Sequence, residues 1–191
     1  MALENGLHCK NSKTCDPNFV TIGNPDLIDR RSRHPVRCNH GGALSDYVPF
    51  YFTPLSPMFL NIKTGWRGLQ QRANDEIAIM VSSIHRLKNQ SVPFVFSDRH
   101  AVLAAAQYFS RLEDLGEIDW DILQRRDFKR DPDDPEKVER YEAEALVYGH
   151  LSIDGLTGIA CNNKVVETHV KNLVDARGLG LRVVTKPTWY F

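Results

Sequence analysis

The sequence predicts an α+β protein, a mixed sheet flanked by helices. Three observations carry that reading. Runs with strand character recur at residues 48–52, 76–82, 92–97, 143–148, 156–161 and 181–189, and segments of helical period lie at 99–116 and 163–173. The two kinds of segment do not alternate regularly, which argues against a doubly wound parallel sheet. A chain of 191 residues, 42% hydrophobic, sustains one buried core, so residues 1–191 are expected to form a single domain.

Residues 2–7 read as the end of a helix stopped by Gly6, because glycine just past the last periodic position is a common helix terminus. Turn formers then crowd residues 8–26, and a short helix over 27–33 follows, capped by Asn24 or Asp26. The first strand, 48–52, is aromatic and β-branched. Pro54 and Pro57 bound a short helical or turn segment carrying Met58, Phe59 and Leu60. Strands at 76–82 and 92–97 precede Asp98, which reads as the N-cap of a long helix over 99–116. Its apolar positions Val102, Leu103, Ala106, Phe109, Leu112 and Leu115 follow the helical period. Residues 120–126 suggest another helix, and 127–140 a charged loop or frayed helix broken by Pro132 and Pro135. The strand at 143–148 comes next, then 156–161, an amphipathic helix at 163–173, and a terminal strand at 181–189.

Charge is balanced, with Lys+Arg 24 against Asp+Glu 24, so the molecule is not a polycation that coats nucleic acid indiscriminately. The imbalance is local. Arg30, Arg31, Arg33 and Arg37 face only Asp29 between residues 29 and 40, whereas 113–144 is rich in Asp and Glu. With no apolar run of about 18 residues and no secretory pattern at the N-terminus, a cytoplasmic protein without a membrane span is expected. Cys9, Cys15, Cys38 and Cys161 lack the spacing of a small disulfide scaffold and read as reduced thiols.

Arg30-Arg31-Ser32-Arg33, followed by His40-Gly41-Gly42 and an aromatic strand, suggests an anionic-ligand site. Guanidinium forks match phosphates, and a Gly-Gly step lets a ligand approach the backbone. Arg31 is either a phosphate or carboxylate clamp or one member of a solvated arginine face. Glu144 is either an exposed edge residue or an inward carboxylate held for a purpose, since charges seldom enter a sheet face unpaired. His100, in the first turn of the expected helix, sits where free N–H groups favour an anion, or is simply polar there. Tyr47, Tyr51 and Phe52 offer a stacking face or fill the core, with core favoured for Phe50 and Phe52. Zinc is disfavoured. His8, Cys9, Cys15, Cys38 and His40 contain neither a C-x2-C nor an H-x3-H step. The glycine pair matches neither a P-loop nor a dinucleotide fingerprint.

Taken in order, Arg30-Arg31-Ser32-Arg33, residues 40–58 (His40-Gly41-Gly42 through Pro57-Met58), Pro93-Phe94-Val95-Phe96-Ser97-Asp98-Arg99-His100 and Ala143-Glu144-Ala145-Leu146-Val147 resemble the DarT family, bacterial toxins that ADP-ribosylate single-stranded DNA. The match runs from about residue 27 to the closing Trp189-Tyr190-Phe191, and residues 41–58 are its most specific part. The resemblance implies an ADP-ribosyltransferase fold, a split and highly curved sheet holding NAD+ between its halves. It implies that Arg31 and Glu144 are the catalytic pair, and that Arg31, Tyr51 and Met58 bind NAD+, the last two on its nicotinamide side. DNA contacts fall to Tyr47, His100, Arg125 and Arg126, with residues 125–142 as the substrate-reading loop. No metal is implied. The acceptor is a thymine or guanine of single-stranded DNA, and a DarG-like antitoxin macrodomain protein is the expected partner of a monomeric toxin. Family members begin with a strand whose His and Thr hold NAD+. This chain opens after that strand, so a short N-terminus and weakened NAD+ binding are expected. The alternatives are a catalytically impaired homologue that only binds nucleic acid or an antitoxin, and a purely structural remnant.

Overall fold

Small polar residues open the longer helices, because their side chains satisfy backbone N–H groups that have no partner within the helix. The computed structural model describes residues 2–14, 16 and 18–191. After α1 (Ala2–Asn5), ended by Gly6 at φ 75°, and β1 (Leu7–His8), α2 (Pro25–Arg33) starts at Asn24, whose side chain accepts from the N–H groups of Asp26 and Leu27. β2 (Tyr47–Tyr51) leads to α3 (Pro57–Thr64), capped by Ser56. β3 (Ile79–Val81), α4 (Ile84–Asn89, capped by Ser83), β4 (Phe94–Ser97) and β5 (Tyr108–Phe109) follow. α5 (Trp120–Arg125) is capped by Asp119, and α6 (Lys137–Tyr141) runs directly into β6 (Glu144–Tyr148). β7 (His150–Leu151), β8 (Gly158–Cys161), α7 (Lys164–Asp175, capped by Asn163) and β9 (Arg182–Thr185) complete the chain. Each such cap is worth on the order of 1 kcal/mol.

The expected split sheet is present. A four-stranded antiparallel sheet has the order β2-β6-β4-β5, and a three-stranded sheet has the order β3-β8-β9, with β8 and β9 parallel. β1 pairs only with β7. Alternation along β6 divides the larger sheet's surroundings. Ala145 and Val147, with Phe94 and Phe96, face a core that includes Leu123 and Tyr141 from α5 and α6. Leu146, with Val95 and Tyr47, faces Val36, Leu44, Ala101 and Val102. Phe96, Val95, Leu146 and Val147 are fully buried. Each such side chain contributes roughly 1.5 to 3 kcal/mol from burial. Glu144 lies on the second face, at the end of the sheet.

The helix expected over 99–116 does not form. Asp98 binds the chain nine residues on, its Oδ1 accepting from the Gln107 N–H at 2.9 Å, and residues 98–107 make a looped excursion. The amides that would begin a helix point elsewhere, with His100 N–H bonded to the Glu139 carbonyl at 3.0 Å and Ala101 N–H to Glu144 Oε1 at 3.1 Å. The apolar residues that mimic a helical face serve different cores. Ala101 and Val102 pack on one side of the sheet, while Phe109, Leu112 and Leu115 pack on the other, which no straight helix permits. His100 therefore belongs to a loop, and the anion that meets this turn is Glu144. Conversely, α4 and the β1–β7 pair carry sequence signals too short to read in advance. Cys9, Cys38 and Cys161 are free thiols, Cys15 lies outside the described residues, and the described residues contain no group of metal ligands.

Candidate active site

Three pieces of chain converge on one carboxylate. α2 carries Arg31 in its last turn, β6 begins with Glu144, and the 98–107 excursion brings His100 and the Ala101 amide from the third side. The chain leaving α2 is folded back by a hairpin-like link. Pro35 bridges Ala43, and Val36 N–H donates to the Gly42 carbonyl at 2.8 Å. Gly42 holds a left-handed backbone, at φ 77°, that side-chain-bearing residues rarely adopt, and a Cβ there would lie 2.6 Å from Asp46 Oδ2. The Gly41 N–H is spent on the Cys38 carbonyl at 3.0 Å. The Gly-Gly step thus closes the turn that follows the helix carrying Arg31.

Arg31 Nη1 donates to both oxygens of Glu144, at 3.0 and 2.8 Å, and the Ala101 N–H completes the set. Glu144 is 1% exposed. A carboxylate so deep in the protein needs these compensating donors, and they also fix its orientation. Arg31 keeps something in reserve: its Nη2 is buried and has no hydrogen-bond partner among the described residues. Leaving a charged donor buried and unpaired costs on the order of 1 to 3 kcal/mol or more. Such a group is satisfied when an acceptor arrives.

Register places three further side chains in Glu144's row. Tyr51 pairs with Glu144 on one side and Ser97 on the other, and Tyr108 pairs with Ser97. Burial, followed by the negative charges of Glu144 and Glu142, holds the Tyr51 phenol well above its usual range. Burial and Glu144 push Tyr108 up to about 12, and its hydroxyl donates to the Ala101 carbonyl. His100 Nδ1 lies 3.5 Å from Glu144 Oε1. Burial lowers the imidazole's pKa more than Glu144 raises it, so the ring is neutral at pH 7. Glu142, at the end of α6, is pushed up to about 7 by burial first and then by Glu144 and Glu139.

The residues expected from sequence divide clearly. Arg31, Glu144, Tyr51 and His100 come together. Tyr47 does not offer a stacking face: it is 2% exposed, its hydroxyl donates to the Gly41 carbonyl at 2.7 Å, and its ring packs edge-on against Tyr148. The β2–β6 register places it on the face packed by Val36, Leu44, Val95 and Leu146, in the core. The exposed rings on that face are Tyr148 and His40, stacked 5.1 Å apart. Met58 stands exposed in the first turn of α3, with no described contact to Glu144. Arg125 and Arg126 are exposed at the end of α5, and Arg126 lines a cleft with Phe52, Trp120 and Trp189 rather than the Glu144 site. The site also includes the Ala101 amide, Tyr108 and Glu142, which the sequence reading does not single out. Nothing in sequence marks the first two, but the Glu142-Ala143-Glu144 spacing was a readable signal for the third.

Comparison with known proteins decides the family. A family model described as "ssDNA thymidine ADP-ribosyltransferase, DarT" matches residues 1–191. The chain belongs to the DarT family. It is 49% identical over 189 residues to a DNA ADP-ribosyl transferase of Escherichia coli O127:H6, covering 99% of this chain and 87% of that protein. Among solved structures it resembles the Thermus sp. 2.9 DarT in complex with ADP-ribosylated ssDNA, with a TM-score of 0.89 and 32% identity over 97% of this chain and 87% of that one. The same Thermus protein in complex with NAD+ gives a TM-score of 0.81 at 31% identity, with 97% and 87% covered. DarT membership accounts for the split sheet and gives the Arg31–Glu144 centre a reaction to be read against. No helix among the described residues is long and apolar enough to cross a membrane.

Proposed function

We propose that this chain transfers ADP-ribose from NAD+ to thymine in single-stranded DNA, with Glu144 and Arg31 as its catalytic pair. The observation that carries the assignment is the buried Glu144 carboxylate, oriented by Arg31 and the Ala101 amide, beside a buried Arg31 Nη2 that still lacks an acceptor. NAD+ fits this arrangement as substrate. Its diphosphate and ribose oxygens are acceptors for Arg31 Nη2, and Tyr51 and Met58 remain the candidates for its nicotinamide side.

Cleavage of the bond between ribose C1′ and nicotinamide gives the sugar cationic character, and nicotinamide leaves with the bonding pair as a neutral molecule. A carboxylate already desolvated and oriented stabilises that charge far better than water, which must reorganise. Glu144 takes this role. The acceptor supplies the new bond from a ring nitrogen. In a thymine nucleotide N1 already bears the sugar, so N3 is the only ring N–H, and its proton departs as N3 bonds to C1′. A carboxylate is the natural recipient of that proton. Because N3–H is engaged in base pairing, duplex DNA must first surrender the base at a cost of a few kcal/mol, which favours a single strand. His100, buried against Glu144, acts as a positioning residue. A DarG-like antitoxin is the expected partner in the cell.

The test is incubation of labelled NAD+ with matched single- and double-stranded oligonucleotides containing one thymine. Label should appear on the single strand and be lost with Glu144→Gln. Equal labelling of both substrates, or labelling of a strand without thymine, would overturn the proposal.

A further inference from the structure

Beyond the Glu144 centre, a second site opens around the end of β2. Side chains alternate along a strand, so Phe52, one residue after Tyr51, lies on the opposite face from Glu144's row. There a cleft of about 370 Å³ is lined by Phe52, Trp120 and Trp189 together with Gln124 and Arg126. Its volume falls within the roughly 300–1,000 Å³ typical of small-ligand sites. The rings are held in place: Phe52 meets Trp120 edge-on with centroids 5.5 Å apart, and the Trp120 indole N–H is anchored to the Leu115 carbonyl at 2.9 Å. Trp120 nevertheless remains 39% exposed. The polar groups are uncommitted, since the Gln124 amide, the Trp189 indole N–H and the Arg126 guanidinium have no hydrogen-bond partner among the described residues.

Charge around the cleft is arranged the same way. The neighbouring acids Asp119 and Asp134 are taken by Arg140, Asp127 by Lys137, and Glu136 by Arg99. Arg125, Arg126, Lys129 and Arg130 are exposed and make no side-chain ion pair among the described residues. These four cations are therefore free to meet a ligand, although Asp121, Asp131 and Asp133 nearby also make no ion pair among the described residues. Arg126 also holds a left-handed backbone, at φ 56°. That conformation ends α5, as a left-handed residue commonly does at a helix C-terminus, and it turns the Arg126 side chain out at the cleft.

We propose that this cleft is a stacking subsite for one base of the substrate DNA strand, a nucleotide that flanks the thymine held at Glu144, with Arg126 on its phosphate. The inference rests on the transferase reading for the identity of the strand. Open aromatic faces suit an unpaired base, the free amide and indole N–H suit its edge, and the unpaired Arg126 guanidinium suits its backbone.

Fluorescence anisotropy without NAD+, using labelled oligonucleotides with one thymine and a single abasic site walked along the strand, tests it. One flanking position should weaken binding roughly 5- to 150-fold when its base is removed. In Trp120→Leu the intact strand should bind as weakly as that abasic strand, and the abasic site should cost nothing further. Arg126→Gly keeps the fold within reach of measurement, because glycine accepts a left-handed backbone without strain. It should melt no lower than the wild type and flatten the salt dependence of log K by about 0.7 for one lost phosphate contact. Penalties for Trp120→Leu and the abasic site that simply add, the absence of any sensitive flanking position, or tryptophan emission quenched by NAD+ but not by oligonucleotide would each overturn the subsite. A wild type that shows the sensitive position yet transfers no ADP-ribose would sink the transferase reading and leave the subsite standing.

Discussion

Two arginine–carboxylate systems in this molecule use the same chemistry for opposite ends. Arg140 spends all three guanidinium nitrogens, giving Nε to Asp119 at 3.0 Å and its two Nη groups to Asp134 at 3.0 and 2.6 Å. It ties the cap of α5 to the turn before α6 and leaves nothing over. Arg31 gives one nitrogen to both oxygens of a nearly inaccessible Glu144 and keeps its buried Nη2 without an acceptor. A satisfied network at the surface is scaffolding. A buried one with an unspent donor is incomplete until something binds, and that incompleteness is what points to the reaction.

The sharpest way to break this contrast is Glu144→Gln, which preserves size and much of the hydrogen bonding while removing the charge. Transfer should fall roughly 10³-fold or more in single-turnover labelling, as expected when a preorganised electrostatic group is lost. Circular dichroism should be unchanged. Arg31→Lys should come next. It keeps the charge but lacks the planar fork that sets one nitrogen on Glu144 and a second toward a ligand acceptor, and a loss on the order of 10²-fold in kcat/KM is expected. A lysine variant within a few-fold of wild type would mean that the free Nη2 has no role.

A pH titration of stability probes the carboxyl beside the centre. The folded-state pKa of Glu142 is raised to about 7, above its ordinary value of 4.5, so the folded protein binds more protons than the unfolded chain between those values. Glu142 therefore favours the fold below pH 4.5, and stability is lost as pH rises through about 7, by up to ~3 kcal/mol. Urea unfolding of Glu142→Gln should lack that decline. His100 works in the opposite sense. Its folded pKa is lowered from 6.5, so its contribution is present above pH 6.5 and is lost as pH falls below it. The smallest effect is expected at the surface: Arg140→Ala should cost about 1 kcal/mol in urea unfolding, since partly exposed pairs contribute little, with transfer nearly unchanged. A tenfold drop in transfer for that variant would erase the distinction drawn between the two arginines.

What the sequence revealed follows the range over which each feature is determined. Asn24 caps α2 locally, the Tyr47–Tyr51 strand declares itself by composition, and Arg31, Glu144 and Tyr51 could be matched to the DarT pattern in order. The 98–107 excursion could not be read, because its outcome is set by the Gln107, Glu139 and Glu144 partners that claim its backbone and side chains. The burial of Tyr47 is illegible for a related reason, since a strand side chain shows its period but not which face closes over. The free arginine beside the aromatic cleft, Arg126, is masked in composition by acids of which several are spent on Arg140, Lys137 and Arg99. Composition counts those charges without recording which are already paired.

The account rests on Glu144 acting on the reaction and Arg31 on the ligand, and calorimetric NAD+ binding compared with transfer separates the two. Glu144→Gln should bind NAD+ within a few-fold of wild type while transfer to a single-stranded thymine oligonucleotide collapses, and Arg31→Lys should weaken NAD+ binding itself. If Glu144→Gln transfers ADP-ribose at a rate close to wild type, the buried carboxylate is not the catalytic group and the central claim is wrong.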